Sequence, residues 1–302
     1  MLHVILNPVA GKGKGSELKP FIERQLNERR LEYSILETHH VGHSTALAAE
    51  AAKRGSDGVI AVGGDGVMLE TAVGLLGTEI PFSGIPLGNG NDFVHNLIDF
   101  SKCRTDKDRI CLCCDAIKAG RTRKLDVIKA NDYYSINIAN MGFDAESAEY
   151  ASKIKMLWGS LSYIASVIKN TFTYDSFHAE IEVDGVVKSG RYTLIAVCNG
   201  KRYGGGFIIA PQSNAFDGEM TLCLVEHLSR PKILALFPLV LFARHTWLKA
   251  VSISNCKSVA IRYEGEKKVC LDGNIYKWKS PALFEIMPKA LTAICQFDSV
   301  HG

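Results

Sequence analysis

The stretch Gly58-Val59-Ile60-Ala61-Val62-Gly63-Gly64-Asp65-Gly66-Val67-Met68-Leu69-Glu70 decides the fold. Its first half is a continuous apolar run, as expected for a parallel strand covered on both faces. Glycines then turn the chain into a helix expected from Val67 to about Leu76. Upstream, Leu2 to Leu6 is a short apolar run ended by Asn7-Pro8 and a glycine/lysine loop, Gly11 to Gly15. Ser16 is placed to cap a helix from about Glu17 to Arg30. Tyr33 to Leu36 reads as a second strand. Gly42 to Arg54 reads as a helix whose small apolar face holds Ala46, Leu47, Ala49 and Ala51. Downstream, Pro81 to Ile85 is a fourth strand, followed by Pro86-Leu87-Gly88-Asn89-Gly90-Asn91-Asp92-Phe93. Strands alternating with helices predict an open, mostly parallel sheet.

After about Arg123 the texture changes. Leu125 to Ala130 and Tyr133 to Asn140 read as strands joined by the turn Asn131-Asp132. Further strands are expected at Phe177 to Val183, Val186 to Cys198, Met220 to Val225, Val259 to Tyr263 and Val269 to Leu271. Val183-Asp184-Gly185-Val186 is a hairpin signal, because Asp-Gly suits a type I′ turn. Two helical insertions are expected, Asp144 to about Thr171 and Pro231 to about Arg244. This half is β-rich and largely antiparallel.

The 302 residues are about twice a typical domain, which favours two domains. A hydrophobic fraction of 47% against 22% charged residues suits a full globular core. The net charge of +3 is too small to argue for a nucleic-acid partner. Nine cysteines in a chain this long read as reduced thiols of a cytoplasmic protein. Cys103, Cys111, Cys113 and Cys114 lie close in sequence, but their spacing matches no familiar zinc pattern. The run Leu2 to Leu6 is too short for an export signal. The longest apolar stretch, Ile233 to Ala243, is interrupted by Pro238 and falls short of the roughly 20 residues that cross a bilayer.

Glycines at a strand-to-helix turn let backbone N–H groups approach phosphate oxygens, and the helix N-terminus adds a favourable dipole. Asp65 would repel phosphate unless it serves a cation or a proton, which points to Mg²⁺ handling or activation of a hydroxyl. A glycine-rich turn with a capping Asp reads the same way, so both remain open. The loop Gly11 to Gly15 fits neither the P-loop nor the dinucleotide spacing. Three glycine-rich turns follow strands 1, 3 and 4, and the carboxyl ends of such strands line the ligand crevice of open α/β sheets.

These motifs resemble the diacylglycerol kinase catalytic domain family, which includes soluble bacterial diacylglycerol kinases and sphingosine kinases. NAD kinases share the G-G-D-G-type loop more distantly. The resemblance continues through Asn137 to Asp144, Asn199, Tyr203 to Gly206, Asp217-Gly218 and Leu271-Asp272-Gly273. It implies an α/β ATP-binding domain with a mostly parallel sheet over about residues 1–122. A β-rich, β-sandwich-like lipid- or substrate-binding domain would follow over about 123–289, and the last strand (290–302) would return to the first domain. It also implies ATP and Mg²⁺ as cofactors. ATP would lie against Asn7, Thr38, Gly63, Gly64, Asp65, Gly66, Val67, Met68, Glu70, Gly88 and Asn89. Asp65 and Asp92 would belong to an acidic network near Mg²⁺, with Asp126 nearby. A second, structural Mg²⁺ would sit in the loop Asn214 to Glu219, with Asp217 as side-chain ligand and Asn214 and Glu219 beside it.

Two departures stand out. Val67 occupies a position where the family commonly has Thr. Asn274 replaces the Glu of a family D-G-E motif proposed as proton acceptor, and an amide cannot take that role at pH 7. Asp65 or Asp272 would then be the base. The expected reaction is transfer of the γ-phosphate of ATP to a lipid hydroxyl, most simply of diacylglycerol. A sphingoid or soluble acceptor, or a nucleotide-binding regulator with little turnover, is the alternative. The apolar segment Pro231 to Trp247 would line an acyl pocket or rest on a membrane surface. The helical stretch with Lys153, Lys155, Met156, Leu157 and Trp158 is a second candidate for a membrane-facing edge. The expected setting is cytoplasmic and peripheral at the inner membrane face, with no nucleic acid, no transmembrane segment, and a homodimer left open.

Overall fold

A computed structural model describes residues 1–88, 90–153 and 160–296. Contacts divide the chain into two compact units, residues 1–125 with 289–302, and residues 126–288.

The first unit is a parallel sheet with helices. Its elements are β1 (Leu2–Leu6), α1 (Ala10–Glu28), β2 (Tyr33–Glu37), α2 (His43–Lys53), β3 (Gly58–Gly63), α3 (Asp65–Gly74), β4 (Pro81–Pro86) and α4 (Asp106–Ala119). Strands pair in parallel as β2-β1-β3-β4. All of β3 is buried, as its unbroken apolar run requires. α4 was not legible in the cysteine-rich stretch, yet it carries its own start signal. The Thr105 hydroxyl accepts from Asp108 N–H at 3.1 Å and the Asp108 carboxylate accepts from Thr105 N–H at 2.9 Å.

The expected helix Glu17–Arg30 starts elsewhere. α1 begins at Ala10, but Gly11, Lys12 and Gly13 have φ of 59, 64 and 98°, so regular helix begins beyond them. Ser16 does not cap it; its hydroxyl donates to the Pro8 carbonyl at 3.2 Å. The four sequence-adjacent cysteines form no metal site: no group of three or more His, Cys, Asp or Glu among the described residues suits a metal. Burial pushes the Cys114 thiol up to about 12, which makes it inert.

The chain enters the second unit through β5 (Thr122–Ala130), followed by β6 (Tyr133–Ser135), β7 (Ile138–Gly142), α5 (Phe143–Lys153) and α6 (Ser160–Thr173). Next come β8 (Phe177–Val183), β9 (Val186–Cys198), the short β10 (Arg202–Tyr203) and β11 (Phe207–Ile208), β12 (Met220–Glu226) and α7 (Arg230–Leu241). β13 (Val251–Cys256), β14 (Ser258–Tyr263), β15 (Glu266–Leu271), β16 (Asn274–Lys279) and β17 (Ala282–Ile294) complete it. Pairing is antiparallel in the order β16-β15-β7-β9-β8-β14-β17, with β12 and β13 added beside β9. The last residues of β17 belong to the first unit, where they run parallel to β4.

The β8–β9 hairpin turns at Asp184 and Gly185, both with positive φ, which is the type I′ conformation expected from Asp-Gly. Alternate residues of β7, β9 and β12 face two different cores. Ala139, Met141, Ile195 and Leu222 join the core between strands; Ile138, Leu194, Ala196 and Val225 pack under α6 and α7. The expected strand Tyr133–Asn140 is broken at Ile136-Asn137. There the N–H groups of Ile136, Asn137 and Ile138 go to the Asp272 carboxylate at 2.7 to 3.1 Å instead of a ladder. The expected single helix over 144–171 is two helices, α5 and α6. β13 and β16 are additional strands. Residues 154–159, with Lys155, Met156, Leu157 and Trp158, lie outside the described residues.

Candidate functional site

In the first unit β1, β3 and β4 end side by side, and their three loops touch. Leu87 N–H donates to Gly63 O at 2.8 Å. A Cβ on Gly88 would sit 2.5 Å from the Gly64 Cα, and one on Gly11 would sit 2.2 Å from Leu87 O. Glycine at these positions is a requirement of backbone approach. Asn7 ties the first loop to β3: its N–H donates to Val62 O at 3.0 Å, and its Oδ1 accepts from Val9 N–H within the loop at 3.1 Å.

Asp65 opens α3 and reaches across to the β4 loop. Its carboxylate accepts from Asn91 N–H at 2.8 Å and Phe93 N–H at 3.2 Å. Asn91, itself left-handed, closes the turn by bonding both N–H and C=O of Gly88 at 2.7 Å. Burial pushes the Asp65 pKa up, and the backbone N–H groups hold it back. The buried Asp92 is close by: a Cβ on Gly90 would lie 2.8 Å from an Asp65 oxygen and 3.3 Å from an Asp92 oxygen. Asn89 lies outside the described residues.

The start of α3 is open. Its N-cap, Gly64, supplies no side-chain bond, and a Cβ added at Gly66 would meet nothing within 4 Å. The N–H groups of Gly66 and Val67 belong to the first turn, which lacks intrahelical acceptors. Together with the helix dipole they form an anion-binding geometry.

Other expected contacts are turned away from that space. The Val67 side chain packs against Gly63, 2.9 Å from where a Cβ there would be, so the missing hydroxyl leaves only its N–H. Met68 is core, packed against Gly84. Glu70 accepts from Gly42 N–H at 2.8 Å and ties α3 to the start of α2. Thr38 is buried and donates its N–H to Leu6 O at 2.9 Å, one residue past β2. His39, His40 and His43, unused in the sequence reading, stack just beyond it with ring centroids 4.8 and 5.4 Å apart.

In the second unit Asp272 has a place other than the expected base. Its carboxylate accepts three backbone N–H groups and the Ser135 hydroxyl, at 2.7 to 3.1 Å. Three of these bonds fall on Oδ1 and one on Oδ2, and together they fix the β6–β7 turn. Asn274 is exposed at the first position of β16. Asp126 is buried and accepts from Gly218 N–H at 2.7 Å. Asp217 accepts from Glu219 N–H at 3.1 Å, whereas Glu219 is held by Asn255 at 3.0 Å and Asn214 is exposed. Each of the two carboxylates of this loop thus accepts one hydrogen bond.

An apolar cavity lies between β9, β12 and the helices above them. Val167, Leu194, Phe207, Ile233, Leu236 and Val240 form its walls, with Asp144, Tyr203 and His245 as polar points. The Tyr203 hydroxyl donates to the Asp144 carboxylate. The sequence reading missed this pair, although both lie in motifs it had quoted. Among the described residues no helix is long and apolar enough to cross a membrane.

Residues 137–295 match the model of the YegS C-terminal NAD kinase beta sandwich-like domain, and residues 1–130 match the diacylglycerol kinase catalytic domain. The chain belongs to the diacylglycerol kinase family defined by these two domains. Similar proteins include a diacylglycerol kinase of Mycobacterium tuberculosis, 26% identical over 296 residues, covering 96% of this chain and 93% of the relative. The diacylglycerol kinase of Bacillus subtilis is 27% identical over 274 residues, covering 90% and 88%. A crystal structure of a candidate diacylglycerol kinase from Bacillus anthracis str. Sterne superposes with a TM-score of 0.80 at 25% identity, covering 98% of this chain and 97% of that one. Family membership makes the chain an ATP-dependent kinase with an alcohol group as acceptor.

Proposed function

We propose that this kinase phosphorylates a lipid hydroxyl, most simply that of diacylglycerol, using ATP with Mg²⁺. The observation that carries the reading is the uncapped start of α3, open above Gly66 and flanked by the touching loops of β1 and β4. Backbone N–H groups there would hold the phosphates, and Asp65, clamped to the β4 loop, would fix that loop's position. Mg²⁺ fits as an ion carried mainly by nucleotide phosphates, since no described cluster of three or more ligand side chains exists for it. When bound, it would neutralise charge on the transferred group. Asp65 and Asp92, flanking Gly90, are the side chains best suited to meet it.

The acceptor class in this reading follows from the names of the relatives. The second unit's cavity has aliphatic and aromatic walls and a single carboxylate–phenol pair, but its volume of about 30 Å³ has room for about two waters and not for an acyl chain. With Asp272 committed to the β6–β7 turn and Asn274 neutral, catalysis in this reading rests on positioning and charge stabilisation, which phosphoryl transfer favours. The test is transfer of labelled γ-phosphate to a panel of detergent-dispersed diacylglycerol, monoacylglycerol, ceramide and a sphingoid base. Labelled phosphatidic acid is expected. No label on any lipid of the panel would overturn the lipid assignment.

A further inference from the structure

Beyond Lys232, α7 is apolar all the way round. Ile233, Leu236 and Val240 face inward and line the cavity. Leu234, Pro238 and Leu241, spaced at helical intervals, face outward and are exposed. A helix with this pattern is normally enclosed by protein or membrane. The exposed row continues beyond the helix into Phe242, 72% exposed, and Trp247, 77% exposed. The Arg244 guanidinium lies 5.8 Å from the Trp247 ring centroid. α6, packed against α7, adds the exposed Ile168 and Phe172.

Charge on this segment has one sign. The exposed Arg230, Lys232, Arg244 and Lys249 flank the apolar row in sequence, and no Asp or Glu occurs between Glu226 and Glu264. Twelve residues of helix extend about 18 Å, short of a hydrocarbon core of about 30 Å. The segment is therefore suited to lie along an interface and not to cross it. Aromatic and aliphatic residues flanked by lysine and arginine match the boundary between acyl chains and anionic headgroups.

We propose that the outer face of α7 with the Phe242–Trp247 turn is a docking surface for an anionic phospholipid bilayer. Docking by this face would bring the second unit to the surface where a lipid acceptor resides. This last consequence rests on the lipid-kinase reading; the docking itself does not.

The experiment is co-sedimentation of the full chain, without nucleotide, with phosphatidylcholine vesicles containing 0 or about 30% phosphatidylglycerol. Wild type should partition onto the anionic vesicles only, and less as salt rises. Phe242→Ser/Trp247→Ser should lose at least roughly tenfold in partitioning. Lys232→Glu/Lys249→Glu should lose roughly fivefold or more per residue, so the second pair serves if the first is poorly folded by circular dichroism. Neither pair belongs to the α3 site, so turnover of monomeric short-chain lipid should be retained by both. Wild type remaining in the supernatant, or both pairs binding as wild type, would overturn the proposal. So would a wild-type dimer in size-exclusion chromatography that Trp247→Ser dissociates, because a second copy would then cover this face. Vesicle binding by a chain that phosphorylates no lipid would leave the docking face standing and overturn only the lipid-kinase reading.

Discussion

Gly66→Ala separates the folding role of the α3 turn from its proposed role in nucleotide binding. Gly66 lies in the first turn of α3, has no positive φ, and a Cβ there meets no protein atom within 4 Å. Replacing glycine by alanine at a helical position should therefore stabilise, by about 0.5–1 kcal/mol at most. For a protein of this size the melting temperature would rise by roughly 1–4 °C. The same methyl group would enter the space where the phosphates are proposed to sit. A displacement of about 1 Å in the transferred group can cost roughly 100-fold in rate. Differential scanning fluorimetry, calorimetric titration with ATP·Mg²⁺ and initial rates should thus move in opposite directions: a more stable protein, weaker nucleotide binding and much slower turnover. Unchanged affinity and rate in a stabilised variant would refute the placement of phosphates at α3. A lowered melting temperature would refute the open geometry itself.

Other outcomes follow from the second unit. Asp272→Ala leaves three backbone N–H groups without their acceptor, which at roughly 1 kcal/mol each costs about 3 kcal/mol in urea unfolding; a midpoint equal to wild type would contradict the clasp. His245 is buried and desolvation lowers its pKa, so the neutral form is the folded one. Its contribution is fully present above the ordinary histidine range near pH 6.5 and is lost as pH falls toward the lower folded value. The melting temperature should therefore drop between pH 7.5 and 5 more steeply in wild type than in His245→Gln; parallel curves would argue against it. Val167→Phe overfills a cavity of about 30 Å³ at a buried position, so it should cost about 1–3 kcal/mol in urea unfolding; a midpoint equal to wild type would contradict the tight packing under α6 and α7. Asn274→Glu, at an exposed position, should change kcat by no more than a few-fold, because the transfer rests on positioning and charge stabilisation; a roughly 100-fold rise would mean that a missing proton acceptor limits the rate.

The parallel unit was legible because its signals are local. The run Gly58 to Val62 has the apolar continuity of a doubly covered strand, and the glycines after it mark a turn whatever the tertiary setting. The Asp184-Gly185 hairpin was legible for the same reason. Errors arose where a long-range polar group redirects the backbone. The Asp272 carboxylate, more than 130 residues away in sequence, takes the N–H groups that would have made Tyr133–Asn140 one strand. At the candidate site the sequence supplied Gly63 to Gly66 and Asp65, but not the orientation of side chains. That Val67 and Met68 point into protein, and that Glu70 binds Gly42 N–H, depends on packing against Gly63, Gly84 and α2. The Asp144–Tyr203 pair was out of reach because it joins residues 59 apart across two elements.

The most direct test of the central claim is conversion of dispersed diacylglycerol by wild type and by Asp65→Asn. Phosphatidic acid and ADP would be quantified together by mass spectrometry and nucleotide chromatography in the presence of Mg²⁺. Equal amounts of the two products from wild type, with loss of both in a folded Asp65→Asn protein, is the predicted result. ADP without phosphatidic acid, or full activity in Asp65→Asn, would contradict it.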